Sequence, residues 1–365
     1  MTEKKLSPNY YQNIPVYRPK GIPQKILQKF GINGLINLAS NENPLGPSPK
    51  ALLIMQEALK KSFLYPEPLL KKLSKSLSDK LNIPENYLHF GNGIEEILVH
   101  LSNAFIHSGD HVVLSNMTFP LYSNNNKFRQ ANESIVPLDS NFIYDLKAIK
   151  KEITTETKLV YLCNSNNPTG TYFTKEALDK FLLSLPEDLI VIYDEAYFEY
   201  ADAPDYPDGM DYLKKHKNFI ITRTFSKFYA LAGLRVGYSI QRPKLTECLD
   251  HVKSLYSNNF IGEVGAIESL KDQSHTQKTK QMNIEGKAQF LKELNSFDIK
   301  IHPTQANFFM IQTSLDALDL SSQLLNQGII VCPLTTFGIK DAIRVTIGTS
   351  KENEFFFQSL KKVLS

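Results

Sequence analysis

The feature that most constrains the fold of this chain is an order that repeats from residue 88 to residue 240: a short apolar run, a turn, and then a helical stretch. Two of these runs, at 158–162 (KLVYL) and 189–193 (LIVIY), are almost continuous in apolar residues. A strand has that composition when both faces of its sheet are covered by helices. The order therefore predicts an α/β fold with a mostly parallel central sheet.

The same pattern predicts where the elements lie. Strands are expected at 88–90, 111–114, 158–163, 189–193, 219–222 and 235–240, and helical stretches at 49–81, 94–105 and 176–185. Beyond residue 265, a long polar helix at about 270–296 precedes short apolar runs at 299–301, 307–311, 329–331 and 343–347. We therefore predict an N-terminal arm at 1–45, a large domain at 46–260, and a smaller α+β domain at 261–365 that the arm joins.

Composition argues against several classes of protein. The 41 basic and 38 acidic residues give a net charge of +3, which is too even a balance for a main partner that is nucleic acid or a membrane surface. The three cysteines, Cys163, Cys248 and Cys332, form no CxxC pair, so we expect neither a disulfide framework nor a zinc site. With no signal peptide and no apolar run as long as a membrane span, a cytoplasmic location is expected.

Residues capable of chemistry follow four of the predicted strands, at 91–93, 164–170, 194–197 and 224–227. In open α/β sheets, ligands bind beyond the carboxyl ends of the strands. A metal enzyme would place histidine and carboxylate clusters there, so we expect no metal. A serine hydrolase would need a G-x-S-x-G string, and a nicotinamide enzyme would need a third glycine after Gly93. What remains is a lysine, an aspartate, a tyrosine, asparagines and hydroxyl groups.

Taken in order, eight strings resemble the fold type I aminotransferases, which use pyridoxal 5′-phosphate, and most closely the histidinol-phosphate aminotransferase family. The strings are SNENPLGPSP at 40–49, YPEP at 65–68, GNG at 91–93, NNPTG at 166–170, DEAY at 194–197, RTFSK at 223–227, LAGLRVGY at 231–238 and RVTIGT at 344–349. The resemblance runs from about residue 17 to the C-terminus. It implies a homodimeric transaminase with pyridoxal 5′-phosphate as its cofactor.

The resemblance assigns the chemistry to residues at the strand ends. Lys227 is expected to hold the cofactor as a Schiff base and, once released, to move a proton. Asp194 should face the pyridine nitrogen and keep it protonated, while Tyr197 and Asn167 donate hydrogen bonds to the phenolic oxygen. Phe119 is expected to stack on the pyridine ring; the alternative is an ordinary core aromatic in a chain with 22 phenylalanines.

The resemblance also implies a site for the cofactor phosphate. Arg235 would supply charge, and Ser226 and Thr224 would supply hydroxyl groups. The helix that begins at Ile94 would offer backbone N–H groups and its positive dipole end. Ile94 and Glu95 stand where the family usually has a small hydroxyl residue and an aspartate, so Ile94 can contribute only its backbone.

Four further residues are expected to reach the site from outside the central sheet. Tyr65 resembles the family tyrosine that reaches the phosphate from the neighbouring subunit, which implies a homodimer; the alternative is a tyrosine packed beside its neighbouring prolines. Arg344 resembles the arginine that clamps the substrate α-carboxylate, unless it forms a structural salt bridge. Tyr17 is expected to close over the substrate side chain, and Asn43 is expected to bind the substrate.

One position departs from the family pattern. Cys332 stands in the string GIIVCPL, where the family normally has an arginine that helps to hold the phosphate of histidinol phosphate. The resemblance implies the reaction of L-histidinol phosphate with 2-oxoglutarate, but Cys332 favours an alternative, an aromatic amino acid aminotransferase. A decarboxylase of phosphothreonine is a further alternative. A non-catalytic regulator that binds the same cofactor is not expected, because no helix-turn-helix domain fits before residue 40.

Overall fold

The computed structural model describes Tyr11, Ile14 and residues 22–364, apart from the side chain of Asn33. Within these residues the chain forms a seven-stranded, a four-stranded and a two-stranded sheet, with α-helices between the strands. No helix of this described part is both long enough and apolar enough to cross a membrane.

The strands of the described residues form these three sheets. They are, in chain order, β1 (Ile36–Asn37), β2 (Leu88–Gly91), β3 (His111–Ser115), β4 (Asn132–Val136), β5 (Thr157–Cys163), β6 (Ile190–Asp194), β7 (Phe219–Thr224), β8 (Gly237–Ile240), β9 (Lys300–Ile301), β10 (Phe308–Gln312), β11 (Ile329–Ile330), β12 (Cys332–Pro333) and β13 (Ala342–Thr346). The large sheet has the order β2-β8-β7-β6-β5-β3-β4. In this sheet β8 runs opposite to the other six strands, which all run in one direction, so the predicted α/β fold with a mostly parallel sheet is confirmed.

Helices cover the sheets. They are α1 (Gln24–Phe30), α2 (Pro49–Leu59), α3 (Lys71–Leu81), α4 (Ile94–Phe105), α5 (Leu121–Phe128), α6 (Leu146–Glu152), α7 (Lys175–Leu183), α8 (Pro243–Asp250), α9 (Phe260–Lys271), α10 (Gln273–Leu294), α11 (Ala317–Asn326) and α12 (Ser350–Leu364). Several begin at a side chain that accepts a hydrogen bond from the first turn, which is what an N-cap residue does. Such caps are Ser48, Asp145, Thr174, Asn259 and Asp316.

A second, smaller core lies under the four-stranded antiparallel sheet β12-β13-β10-β9. There the ring of Phe290 on α10 stacks on Phe309 of β10, with 5.1 Å between ring centroids, and on Phe356 of α12, at 5.7 Å. The parallel pair β1 and β11 joins the segment before residue 40 to this part of the molecule. The small sheet therefore carries β13, and with it Arg344, up to the edge of the large sheet.

Four sequence-based predictions of elements differ from the structure. The helical stretch predicted at 49–81 is two helices, α2 and α3, separated by residues 60–70. The predicted strand at 235–240 begins only at Gly237, because Arg235 has a left-handed backbone with φ of 54°. The strand β4 was not predicted, since it lies at the sheet edge and is rich in polar residues. The predicted helix at 270–296 is two helices, separated at Asp272, whose side chain caps α10. The domain boundary at 260 stays a prediction, although α9 packs into the core of the large sheet.

Candidate active site

The carboxyl ends of β5, β6 and β7 lie side by side because these strands are parallel neighbours. The register pairs Cys163 with Asp194 and Asp194 with Thr222, so the segments after the three strands meet at one edge of the sheet. The antiparallel β8 places Gly237 opposite both Thr224 and Gly91. The structure therefore brings together all four segments that the sequence singled out.

Lys227 lies in this edge, half-buried, and its Nζ donates a hydrogen bond of 2.8 Å to the carbonyl of Ser40. Burial, assisted by the positive charges of Arg344 and Arg235 and opposed by Glu42, lowers the pKa of the Lys227 amine to about 8. At pH 7 roughly a tenth of such an amine is neutral, against well under about one in a thousand at the ordinary lysine pKa. Since the neutral amine is the nucleophilic form, Lys227 is suited to attack a carbonyl.

Asp194 ends β6 with its carboxyl group almost fully buried. Its Oδ2 accepts a hydrogen bond of 2.6 Å from the Tyr122 hydroxyl, and its Oδ1 accepts one of 3.0 Å from the backbone N–H of Ala196. Burial raises the pKa of Asp194, although these hydrogen bonds act against the shift. No basic side chain in the described residues forms an ion pair with Asp194. A cationic group of a ligand would complete this environment.

Arg344 reaches from β13 to the large sheet. Its Nη1 donates to Asn167 Oδ1 and its Nη2 donates to the carbonyl of Ala39 at 2.7 Å. Its Nε is buried and hydrogen-bonds to no described atom. The alternative of a structural salt bridge finds no carboxylate partner for Arg344 in the described residues. The side chain therefore keeps hydrogen-bonding capacity for a ligand, and it stands next to a second predicted site residue, Asn167.

Tyr197 and Phe119 contact residues of this group. The Tyr197 hydroxyl accepts a hydrogen bond of 2.9 Å from Asn41 Nδ2, and burial raises the pKa of Tyr197 to about 12. The half-buried Phe119 ring meets the Tyr122 ring edge-on, with 5.7 Å between centroids. Because Tyr122 holds Asp194, Phe119 lies one side chain away from that carboxyl group. The structure thus brings Phe119 and Tyr197 close to Asp194, and their roles toward the cofactor stay predictions.

Arg235 forms a positively charged corner. Its Nη1 lies 3.4 Å from Ser226 Oγ, and its Nη2 lies 3.5 Å from the carbonyl oxygen of Asn92. A Cβ at Gly93, where φ is +82°, would lie 2.3 Å from Nη2, and a Cβ at Gly237 would lie 2.6 Å from the Gly93 carbonyl carbon. Both glycines are therefore required for the close approach of this loop to Arg235.

The other predicted phosphate contacts are of two kinds. No side chain among the described residues caps α4, so its first N–H groups are available to an anion, while the Ile94 side chain is buried and Glu95 is exposed. The Thr224 hydroxyl accepts a hydrogen bond of 3.0 Å from the Ser226 N–H and donates one of 3.3 Å to the carbonyl of Val236. Its hydrogen is thus engaged by the backbone, so Thr224 shapes the turn that presents Ser226.

Two predicted residues form their contacts outside this group. Tyr65 is 81 % exposed, and its ring stacks on Tyr256 at a centroid distance of 4.7 Å. Asn43 Nδ2 donates to the carbonyl of Phe228 at 2.8 Å and to Thr279 Oγ1 at 3.2 Å, so its amide is engaged by the protein, although Asn43 lines a cavity together with Ser226. Tyr17 lies outside the described residues.

Cys332 is half-buried in β12 and pairs with Arg344 of β13. Paired residues of antiparallel strands project to the same side of the sheet. On that side Cys332 packs with Met117, Phe142 and Phe337 against a small apolar cluster. The position paired with Arg344 is therefore apolar, where the sequence resemblance leads one to expect a second arginine.

Sequence reasoning missed three residues that the structure places here: Asn41, Tyr122 and the carbonyl of Ser40. Ser40 and Asn41 lie in the SNENPLGPSP string, which marked the segment without separating its members. Tyr122 lies two residues beyond Pro120, and only the pairing of its hydroxyl with a strand end 72 residues away reveals it. None of these contacts has a local sequence signal.

Comparison with known proteins identifies the class. Residues 33–360 match the family described as aminotransferase class I and II, and the chain belongs to this family. The chain is therefore an aminotransferase, as the sequence predicted.

Two curated relatives carry the name histidinol-phosphate aminotransferase. The protein of Moorella thermoacetica is 39 % identical over 97 % of this chain and 92 % of its own length, and that of Brevibacillus brevis is 38 % identical over 97 % of both. A crystal structure of histidinol-phosphate aminotransferase from Sinorhizobium meliloti, in complex with pyridoxal-5′-phosphate, superposes with a TM-score of 0.88. It covers 100 % of this chain and 98 % of its own at 24 % identity, which establishes the shared fold.

Proposed function

We propose that the chain is a pyridoxal-phosphate enzyme that transfers the amino group of L-histidinol phosphate to 2-oxoglutarate, giving imidazole acetol phosphate and glutamate. The main support for this cofactor is the Lys227 amine, whose pKa is lowered and which lies at the same edge of the sheet as Asp194 and Arg235. The relatives of the same name, at 38–39 % identity over nearly the full length, support the substrate.

The residues present fit this cofactor on three counts. The buried Asp194 has no basic partner among the described residues, which suits a protonated pyridine nitrogen. Arg235, Ser226 and the uncapped start of α4 suit a phosphate. Lys227 suits an aldehyde. When bound, the cofactor supplies an electron sink for the charge that develops on the carbon bearing the amino group.

The side chains then have distinct tasks in the transfer. Lys227 Nζ takes the proton from the carbon that bears the amino group, because its lowered pKa leaves neutral amine available near neutral pH. Asp194, held by Tyr122, keeps a proton on the ring nitrogen. Arg344 offers a planar fork that binds a carboxylate or a phosphate equally well in geometry. It can therefore serve 2-oxoglutarate and the phosphorylated donor in turn.

A second candidate function is the transamination of phenylalanine and tyrosine. It is favoured by the small apolar cluster against which Cys332, Met117, Phe142 and Phe337 all pack, because apolar surroundings suit a ring better than a phosphate. Half-reactions separate the two candidates. We expect histidinol phosphate to convert the loaded enzyme to its pyridoxamine form at least about tenfold faster than phenylalanine or tyrosine, as measured by the change in visible absorption.

The variant Cys332→Arg makes this test more specific. A second guanidinium group beside that of Arg344 should strengthen binding of the phosphorylated donor by about 1.5 kcal/mol or more. We expect about a tenfold lower KM for histidinol phosphate and a weaker response to phenylalanine. Cys248→Arg is the matched control, because Cys248 is also half-buried but lies on α8 rather than on β12. Conversion by the aromatic amino acids alone would remove the histidine-pathway proposal and establish the second candidate.

We further propose a cytoplasmic homodimer in which Tyr65 reaches the partner's phosphate site. An apolar strip supports this: it consists of exposed side chains of 52–69 and 255–256, joined where Tyr65 stacks on Tyr256. Phe63 in this strip is 82 % exposed. Within its own chain Tyr65 forms no hydrogen bond to Arg235 or Ser226, the side chains proposed to bind the phosphate. A strip this apolar is typical of an interface between subunits.

Disrupting the strip is expected to separate the subunits. Leu53→Glu with Leu255→Glu should give a monomer by light scattering, because two charges would enter an apolar contact. Tyr65→Phe should keep the dimer and weaken cofactor affinity about tenfold, since it removes one hydrogen bond to a phosphate. Leu183→Glu, on an exposed leucine of α7, is the control. A wild-type protein that is already monomeric would disprove the dimer.

A further inference from the structure

Asn41 is a buried residue that contacts both β13 of the four-stranded sheet and Tyr197, which follows β6 of the seven-stranded sheet. It is 1 % exposed and has a left-handed backbone, with φ of 55°, a conformation that asparagine and aspartate tolerate better than other side chains. Its backbone carbonyl accepts a hydrogen bond of 3.0 Å from Asn307 Nδ2. Its backbone N–H donates one of 3.0 Å to Thr346 Oγ1, and its side chain lies against Tyr197.

The hydrogen bonds fix which end of the Asn41 amide faces Tyr197. Thr346 Oγ1 already accepts the Asn41 N–H, so its own hydrogen is free to be donated, and Asn41 Oδ1 lies 3.4 Å away to accept it. The oxygen of the amide is thereby assigned to Thr346. The Nδ2 group is left to donate to the Tyr197 hydroxyl oxygen, at 2.9 Å.

This orientation determines the direction of the Tyr197 hydroxyl. A phenol carries one hydrogen, and an oxygen that receives the Asn41 N–H cannot donate its hydrogen back to the same group. We propose that Asn41 is a positioning residue, which compels Tyr197 to donate its hydrogen away from the small sheet and into the site, toward the phenolic oxygen of the cofactor. This inference rests on the proposed function and adds to it a residue whose part is played through Tyr197.

The arrangement also connects the cofactor to the substrate-binding strand. Thr346 follows Arg344 by two residues on β13, so both side chains project from the same face of that strand. The Asn41 amide keeps its orientation only while β13 is in place. The Tyr197 hydroxyl is therefore directed into the site by the same strand that presents Arg344.

A spectroscopic titration tests the proposal. A donor to the phenolic oxygen stabilises negative charge there and makes the neighbouring nitrogen of the lysine–cofactor link less basic, so loss of the donor raises the pKa at which the visible band changes. Tyr197→Phe should raise this pKa by about one unit. Asn41→Asp replaces the donor with an acceptor that captures the Tyr197 hydrogen, so it should raise the same pKa by a comparable amount.

Two further variants separate positioning from structural support. Asn41→Gly keeps the left-handed backbone and frees Tyr197 to donate in any direction, so less than half of the shift is expected. Asn307→Ala removes the hydrogen bond to the Asn41 carbonyl but leaves the amide in place, so it should lower thermal stability without moving the titration. A merely structural Asn41 would make glycine the most disruptive change.

The outcomes are distinguishable. Equal shifts in Asn41→Asp and Tyr197→Phe, with less than half of that shift in Asn41→Gly, support the proposal. No shift in Asn41→Asp beside a clear shift in Tyr197→Phe overturns it while leaving the proposed function intact. No shift in Tyr197→Phe also overturns it, because Asn41 would have nothing to act through. A wild-type protein without a visible band after incubation with pyridoxal phosphate overturns this inference and the proposed function together.

Discussion

Replacing Lys227 with alanine is expected to remove the covalent link to pyridoxal phosphate and to lower transaminase activity by more than about 10⁴-fold. The reason is that one side chain would be lost both as nucleophile and as proton carrier, and proton transfer alone contributes about 10²–10⁴-fold. Borohydride reduction followed by peptide mass spectrometry should find the adduct on Lys227 in the wild type and nowhere in the variant.

The pH dependence of pyridoxal phosphate attachment is a second test of the role of Lys227. Since the pKa of Lys227 is lowered to about 8, attachment of pyridoxal phosphate to the cofactor-free protein should quicken with rising pH, reach half its maximal rate near pH 8 and level off about one unit above that. An unperturbed lysine would still be quickening at pH 10. Lys253→Ala is the control, because burial also lowers the pKa of Lys253, outside the site. A reducible adduct that survives in Lys227→Ala would show that another lysine holds the cofactor.

Replacing Asp194 with asparagine is expected to lower kcat/KM by about 10²–10³-fold, the scale seen when a preorganised electrostatic group is removed. Asparagine has nearly the same shape, so the loss would come from the missing negative charge beside the ring nitrogen. The test is a comparison of kcat/KM with that of Asp211→Asn, which alters an exposed carboxylate paired with Lys175 and should leave activity unchanged.

The stability of the cofactor-free protein should change in the opposite direction. Burial raises the pKa of Asp194 above its unfolded value, so the charged form is disfavoured in the folded protein. This penalty is fully present above the raised pKa and disappears as the pH falls below the ordinary aspartate range. Asp194→Asn should therefore unfold at an equal or higher temperature at pH 7, with the difference vanishing in acid. A large fall in melting temperature at pH 7 would instead assign Asp194 to the turn that begins at Ala196.

How well each element was predicted depends on how much of it is buried. Buried strands such as β5 and β6 were predictable because both of their faces need apolar residues. The edge strand β4 was not, because one side of it meets solvent and its residues are mixed. Arg235 was predicted at the start of a strand, yet its left-handed backbone turns the side chain toward Ser226, a conformation that its neighbours impose.

The predicted site shows the same division. Lys227, Asp194, Arg235 and Arg344 were identified by their strings, and the structure places them around one edge. Asn43 was drawn into the prediction by its string alone, but its amide is engaged by Phe228 and Thr279. A string records which residues are present. It does not record that Asn41 rather than Asn43 contacts Tyr197, since that depends on the contacts of a whole loop.

By itself, then, the sequence determined the α/β layering, the family and the lysine at the strand end, because apolar periodicity and contiguous strings are local properties of the chain. The tertiary structure decided how that lysine and its surroundings are tuned. The pKa of Lys227 is lowered by burial and by Arg344, which lies 117 residues further along the chain. The Tyr197 hydroxyl receives its hydrogen bond from Asn41, 156 residues earlier. Burial and hydrogen-bond direction exist only once distant segments are packed together, so no local pattern could have shown them.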